Sequence, residues 1–459
     1  MTTTNPQTST DAQDLIPPFP WLDRLTRDRL STTRGFVFQF PPFGVLDRWD
    51  ESSQPVREQG LYAHVPFCPY RCSYCYYAVE INRNGAAIDR YLDVLEVDMA
   101  RAAARPAVAD RAVTTAFIGG GTPTYLDESQ LARLVGSLSK AFDLRALTEF
   151  SIEAEPTTVT PGKAAVLAES GVNRVSMGVQ TFNDELNKLN HRDHSEAQVL
   201  AALDALRGAG IDNINLDLIC GLIGETSENW RASVTRLLEL NPEHVTIYLF
   251  SLRPQTISFA QIGQNKVPLP PDEAHRIEMF RWGRDALLAA GYVQTSANCY
   301  AREPKYEQIH QRNAWSNVPL VGLGNSAYSY VDGCVTQNHR AVARYSALLT
   351  EGRTPVEIGG RLDSREIMIR YCVLRLKLLS IDRAEFSRLF GFDVHDVIGA
   401  ELAELCELGL VTVDEQAVRL TEWGIVYVDD VCRRIYTPAV RRTLAAGEQA
   451  ASPLVTSLL

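Results

Sequence analysis

From about residue 60 to residue 290, short apolar runs alternate with longer stretches whose apolar positions recur every three or four residues. Runs at 61–65, 114–118, 150–154, 174–178, 213–219 and 244–250 predict strands, and the stretches at 87–104, 128–142, 184–208, 228–239 and 274–289 predict helices. Six strand-then-helix units imply an α/β fold, a parallel sheet covered by helices. The periodicity leaves an open doubly wound sheet, a closed barrel and a partial barrel as alternatives. After Gly359 the pattern changes to two amphipathic helices at 365–379 and 395–407, then strands at 410–413 and 417–420 around a turn at Asp414-Glu415. That order predicts a winged-helix-like α+β module. The first 57 residues, rich in Pro, Thr and Asp, read as an irregular arm. Its aromatic segment 34–43 suits packing on the main domain or a strap over a hydrophobic substrate. The expected organisation is an arm at 1–57, a core at 58–300, a barrel-completing segment at 301–358, the winged-helix-like module at 359–440 and a tail at 441–459.

Composition narrows the function classes. A formal charge of −11 argues against a general nucleic-acid binder, which must neutralise phosphates. The 395–425 segment carries more acidic than basic residues, so its module reads as a lid or packing element and not a DNA reader. No apolar run approaches the roughly 18 residues of a membrane span, and the polar start lacks a signal core. A cytoplasmic protein with no membrane partner is expected. Of nine cysteines, three crowd into positions 68, 72 and 75. The scattered ones, such as Cys220 and Cys372, lie in apolar runs and read as small core residues.

Cys68-Pro-Tyr-Arg-Cys72-Ser-Tyr-Cys75 spaces three thiols within one tight loop. Three thiolates suit three irons of a cubane, leaving the fourth iron without a protein ligand. A Cys₃His zinc site with His64 is the rival, although structural zinc usually takes a second pair of ligands downstream. Gly119-Gly-Gly-Thr-Pro-Thr124 follows the second strand, where bare glycines permit close backbone approach. Glu153, Gln180 and Asp217 fall at or near the ends of the third, fourth and fifth strands, with Arg192 on the helix after the fourth. Ligands of parallel α/β folds gather at the carboxyl ends of strands.

The segment Leu61-Tyr-Ala-His-Val-Pro-Phe-Cys68 with its cysteine loop, together with the GGGTPT loop, resembles the radical SAM superfamily. The resemblance is to its oxygen-independent coproporphyrinogen III oxidase-like branch, which also holds haem chaperones and class C methyltransferases. It implies a partial (β/α)₆ radical SAM barrel whose Cys68, Cys72 and Cys75 hold a [4Fe–4S] cluster. The open iron would chelate S-adenosylmethionine, and one electron from the cluster would release a 5′-deoxyadenosyl radical. By resemblance, Gly120, Gly121 and Thr122 lie at the methionine end, and Glu153, Gln180, Arg192 and Asp217 contact the cleaved molecule. Tyr62 and His64 lie near the sulfonium and Tyr74 beside the adenine. His310 and Trp315 resemble segments near the second ligand. An electron donor such as flavodoxin or ferredoxin is implied.

Two departures bear on the reaction. The oxidases carry a further cysteine two positions beyond the third ligand, where this chain has Tyr77. Their polar N-terminal substrate motif is here the apolar 34–43 segment. Both favour a planar, apolar substrate, methylated or cyclopropanated at an sp² carbon with a second S-adenosylmethionine as methyl donor. Coproporphyrinogen III oxidation and non-catalytic haem binding are the alternatives.

Overall fold

The computed structural model describes residues 58–81, 84–438, 440 and 441, together with Val37, Gln39 and Phe40. Six strands, β1 (Glu58–Val65), β2 (Ala112–Gly120), β3 (Glu149–Ala154), β4 (Arg174–Gln180), β5 (Asn213–Cys220) and β6 (His244–Leu249), lie side by side in chain order and all run parallel. Beyond β6 come β7 (Val293–Gln294) and β8 (Cys299–Ala301), with β8 antiparallel to β6. On the other side, β9 (Leu320–Leu323) pairs parallel with β1, and β10 (Tyr328–Val331), β11 (Cys334–Asn338) and β12 (Val356–Arg361) add on antiparallel. The order β12-β11-β10-β9-β1-β2-β3-β4-β5-β6-β8-β7 has two free edges, which makes the barrel a partial one.

The two faces of the parallel strands differ in chemistry. Val65, Ile118, Ile152, Val175, Met177, Leu216, Leu218 and Ile247 are buried under the crossover helices. Each such side chain withdraws roughly 1.5–3 kcal/mol worth of apolar surface from water. The alternate positions Tyr62, Thr115, Phe117, Ser151, Arg174, Asn215, Asp217, His244 and Thr246 turn to the concave lumen, where they meet one another. Helix starts are set by side-chain caps: Asp127 closes a capping box on Glu128–Ala141, and Thr226 does so on Ser227–Leu240.

One helix departs from the pattern read from the sequence. The single helix expected at 184–208 is two, Asp184–Leu189 and Glu196–Gly208. The apolar period runs through the gap, but Asn190 competes with it. Its buried amide nitrogen donates to the carbonyls of Leu186 (2.9 Å) and Ile223 (3.1 Å). His191 then takes a positive φ of 57° and the chain turns inward. Arg192 is therefore not on a helix, as the pattern suggested, but in the loop between two.

After β12 the helix Ser364–Leu376 leads into a small antiparallel sheet ordered β13-β15-β14, from β13 (Ser380–Asp382), β14 (Val411–Val413) and β15 (Ala417–Leu420). Helices Arg383–Phe390 and Val394–Glu407 intervene. The expected two helices and wing thus gain a third strand and three short helices, Arg383–Phe390 and, after the sheet, Glu422–Val426 and Val428–Ile435, all too short for periodicity to register. Of the arm, the described residues Val37 and Phe40 bury against this module. The Val37 amide donates to Asp429 (2.8 Å), and the Phe40 ring sits 5.2 Å from that of Tyr436. Apart from Gln39, the rest of the arm and the tail from 442 lie outside the described residues. No helix among the described residues is long and apolar enough to cross a membrane.

Asn190→Ala removes both side-chain amide bonds and leaves the Ile223 carbonyl unpaired, while the Leu186 carbonyl keeps the Asn190 backbone N–H, a loss of about 1–3 kcal/mol. Urea unfolding of the variant and wild type is expected to show that difference in midpoint at an unchanged slope.

Candidate active site at the rim of the barrel

Strands β1 and β2 end level, with Val65 opposite Gly120, so the loops that leave them start together. The ladder continues past the strand ends through Gly121 N–H to the Val65 carbonyl (2.7 Å) and Thr122 N–H to that of Phe67 (2.8 Å). A Cβ on Gly121 would lie 2.6 Å from the Phe67 carbonyl oxygen. One on Gly120, whose φ is +117°, would lie 2.6 Å from the His64 ring. Only glycine fits either position.

The cysteine loop is fastened on three sides. Cys68 N–H donates to the Glu80 carbonyl (3.1 Å), and Glu80 N–H donates back to that of Pro66 (2.8 Å). Ser73 N–H donates to the Asn190 carbonyl (3.1 Å), and Ser258 N–H to that of Ser73 (2.8 Å). Two donors are aimed at sulfur: Thr122 Oγ1 at Cys68 Sγ and Arg192 Nη1 at Cys72 Sγ, each at 3.4 Å. Burial pushes the Cys68 thiol up to about 12 and the Cys75 thiol up to about 11.

Arg192 is buried and held from behind. Its Nη2 donates to the Gly178 carbonyl, and Glu155 Oε1 lies 3.8 Å away. Glu155 also accepts from the Tyr70 hydroxyl (2.6 Å) and Thr157 N–H (2.9 Å), with His194 Nδ1 at 3.4 Å. Burial opposes ionisation of Glu155, but the His194 contact and the Arg192 charge outweigh it and hold the carboxyl down at about 2. Sequence reading missed Glu155, Tyr70, His194 and Asn190. Glu155 was within reach of strand logic, since it stands two residues beyond Glu153 and shares its face. The other three are brought in by loops, which carry no such period.

The remaining rim residues converge as their strand ends suggested. Glu153 accepts from Gly120 N–H (2.8 Å), and burial, reinforced by the charge of Asp217, pushes it up to about 7. Burial also raises Asp217, which accepts from Asn215 Nδ2 (2.7 Å) and Ser176 Oγ (3.3 Å). A register shift between Gly178 and Gln180 turns Gln180 to φ +66°, leaving its buried Oε1 without a partner. The Tyr62 hydroxyl lies 3.1 Å from His64 Nδ1, and burial holds His64 down at about 4. His64 Nε2 is buried and unpartnered. Tyr74 sits in an apolar nest with Leu222, Ile223 and Phe250. His310 lies deeper in the lumen, stacked on Phe117 and 3.0 Å from Thr115 Oγ1. Trp315 packs over Lys377 toward the C-terminal module, away from the rim.

These groups suit an iron–sulfur cluster with a nucleotide beside it. Three half-buried thiols need a cationic partner to ionise, and two donors already address their sulfurs. Among the described residues no three His, Cys, Asp or Glu side chains gather around one point as a single metal ion requires. His64, the fourth ligand of the zinc alternative, has its ring on Gly120 and Nδ1 on Tyr62. The unpartnered Gln180 Oε1 and two destabilised carboxylates leave acceptors for a cationic ligand.

A carboxyl raised to about 7 stabilises the cluster-free fold fully below about pH 4, and this contribution is lost as pH rises through 7. Glu153→Gln keeps an acceptor for Gly120 without that penalty. Its unfolding free energy should match wild type at about pH 4 and exceed it by about 3 kcal/mol near pH 8. A pH-independent difference would show that Glu153 is not held neutral.

The radical SAM superfamily signature matches residues 62–237. Heme chaperone HemW of Bacillus subtilis is 32% identical over 378 residues, covering 81% of this chain and 98% of its own. The oxygen-independent coproporphyrinogen III oxidase of Escherichia coli K12 is 30% identical over 394 residues, covering 82% and 85%. A solved structure described as E. coli coproporphyrinogen III oxidase (HemN), a radical SAM enzyme, superposes with a TM-score of 0.77 at 27% identity, over 88% of this chain and 97% of that one. These relatives overturn the expectation of methyl transfer, since they are named chaperones and oxidases. The two departures behind it have local explanations: Tyr77 is 56% exposed and stacked on Tyr76, and the apolar Val37 and Phe40 bury in the C-terminal module. The chain belongs to the radical SAM superfamily, in the branch of coproporphyrinogen III oxidases and haem chaperones, whose chemistry runs on a [4Fe–4S] cluster and S-adenosylmethionine.

Proposed function

We propose that the chain is an oxygen-independent oxidase of the coproporphyrinogen III type, which removes carboxylate from propionate arms of a tetrapyrrole. The observation that carries this reading is the likeness to the solved oxidase over 88% of this chain and 97% of that one. Cys68, Cys72 and Cys75 would hold the cluster, and the cluster when bound supplies the electron that splits S-adenosylmethionine into methionine and a 5′-deoxyadenosyl radical. Arg192, fixed on the Cys72 sulfur, favours the more negative, reduced charge state at that corner. The Gly120 and Gly121 backbone and Thr122 would receive the methionine end. Glu153, Gln180 and Asp217 would orient the nucleoside, and Tyr74 would cover the adenine. Neutral His64 and the protonated Tyr62 bring no cation against the sulfonium. Oxidative decarboxylation then takes a hydrogen atom from the substrate, releases carbon dioxide and passes one electron to an external acceptor. One S-adenosylmethionine suffices for each such step; the second was required by methyl transfer. A flavodoxin- or ferredoxin-type donor in the cytoplasm would supply the first electron.

A second reading, a haem-binding chaperone, is favoured by Tyr77, which stands where the oxidases carry a cysteine. Anoxic reconstituted protein with reductant, S-adenosylmethionine and coproporphyrinogen III is expected to form 5′-deoxyadenosine together with decarboxylated product. Cys72→Ala should bind less than about one iron per chain and lose about 100-fold or more of the nucleoside yield. One haem retained per chain, with no coproporphyrinogen consumed, would decide for the chaperone.

A further inference from the structure

Beneath the rim, the lumen floor holds a charge the radical chemistry does not use. Arg174, the first residue of β4, is 1% exposed, and no carboxylate among the described residues lies within 4.0 Å of its guanidinium. Arginine cannot shed its proton to escape burial, so an uncompensated guanidinium costs several kcal/mol. The acids of this layer are engaged elsewhere. Glu149 accepts from Ser151 Oγ (2.8 Å) and Ile309 N–H (2.6 Å), and Asp217 from Asn215 and Ser176.

Arg174 Nε and Nη1 have no partner, and Nη2 lies 3.2 Å from His244 Nδ1. That nitrogen is also 2.7 Å from Asn215 Oδ1, an acceptor. It cannot serve both. If Nδ1 carries the proton and donates to Asn215, Arg174 loses its remaining partner. If Nδ1 accepts from Arg174, Thr246 Oγ1 (3.0 Å) still satisfies Asn215, and His244 Nε2 becomes a buried donor without an acceptor. Burial and the Arg174 charge hold His244 well below the usual imidazole range, so it adds a dipole and no second charge. His310, in the field of the same guanidinium, is likewise held neutral, at about 3. In either tautomer, unpaired N–H groups surround a fixed positive charge. An anion matches them.

We propose that this floor is a carboxylate site in which Arg174, assisted by His244, receives an acidic arm of the substrate. The inference deepens the tetrapyrrole reading above and rests on it for the identity of the substrate. The rings of Tyr62, Phe117 and His310 stack in series in the lumen and present apolar surface for the body of a molecule whose acid group would bind at Arg174. Water satisfies the same N–H groups but carries no charge, and the experiment distinguishes the two.

Wild-type, cluster-loaded protein is melted anoxically with sodium propionate and with propionamide, the neutral isostere. Propionate is expected to raise the melting temperature by about 2 °C or more, and propionamide is not. Equal effects, or none, overturn the site and leave it to water; this comparison needs no variant and survives a folding failure. Coproporphyrin III, a fluorescent tetracarboxylate, is then titrated against wild type, Arg174→Gln and His244→Gln. Arg174→Gln is expected to bind it about tenfold or more weakly, His244→Gln less so, with the tetramethyl ester bound alike by wild type and Arg174→Gln. A folded Arg174→Gln that binds the free acid as wild type does also overturns the proposal. Propionate stabilisation without any coproporphyrin binding upholds the carboxylate site and removes the tetrapyrrole.

Discussion

The contact between the Arg192 guanidinium and the Cys72 sulfur is the constraint around which the rim is organised. A buried cation beside a thiol that must ionise is favourable only if the cation cannot move and is itself compensated. Glu155 supplies the compensating charge, the Gly178 carbonyl fixes the fork, and Tyr70 and His194 fix Glu155. Placing Arg192 there requires the helix to stop six residues after it starts, which Asn190 achieves. The Asn190 carbonyl in turn fastens Ser73 inside the cysteine loop. One asparagine therefore breaks a helix, aims an arginine and anchors the loop that arginine addresses.

Below that contact the lumen is layered by charge. The rim carries carboxylates raised by burial, Glu153 and Asp217, which suit a cationic ligand. The wall is aromatic, and the floor carries Arg174, whose Nε and Nη1 lack partners. Opposite preferences at the two ends would orient a substrate that carries both kinds of group. On the proposed reading they would also keep a cationic sulfonium ligand and an acidic substrate apart. The C-terminal module closes the same body from the side: its buried Lys377 pairs with Asp429, which also receives the amide of Val37 from the arm.

The relation between pattern and structure varies with the interaction that fixes each part. Strands such as 213–219 and 244–250 were legible because their burial is a backbone-period property, and they fall on Asn213–Cys220 and His244–Leu249. Cys68, Cys72 and Cys75 stood out through spacing alone, since three thiols in one loop have few structural uses. The helix at 184–208 was misread because one buried side-chain amide outcompeted a correct apolar period. The 34–43 segment was ambiguous because an apolar stretch looks the same whether a substrate or the chain's own C-terminal module covers it.

The order of residues by itself determined the parallel α/β architecture, the thiol triad and the glycine cradle, because each depends on neighbours a few positions apart. Only the tertiary structure decided which polar groups act together. Arg192 reaches Cys72 across 120 positions, and Arg174 reaches His244 across 70. Those meetings follow from the register of parallel strands and from a left-handed turn at His191, neither of which leaves a periodic trace in the chain. The energetic reason is the same in both cases: a buried charge is tolerable only where distant segments bring partners to it, and distance along the chain carries no information about that.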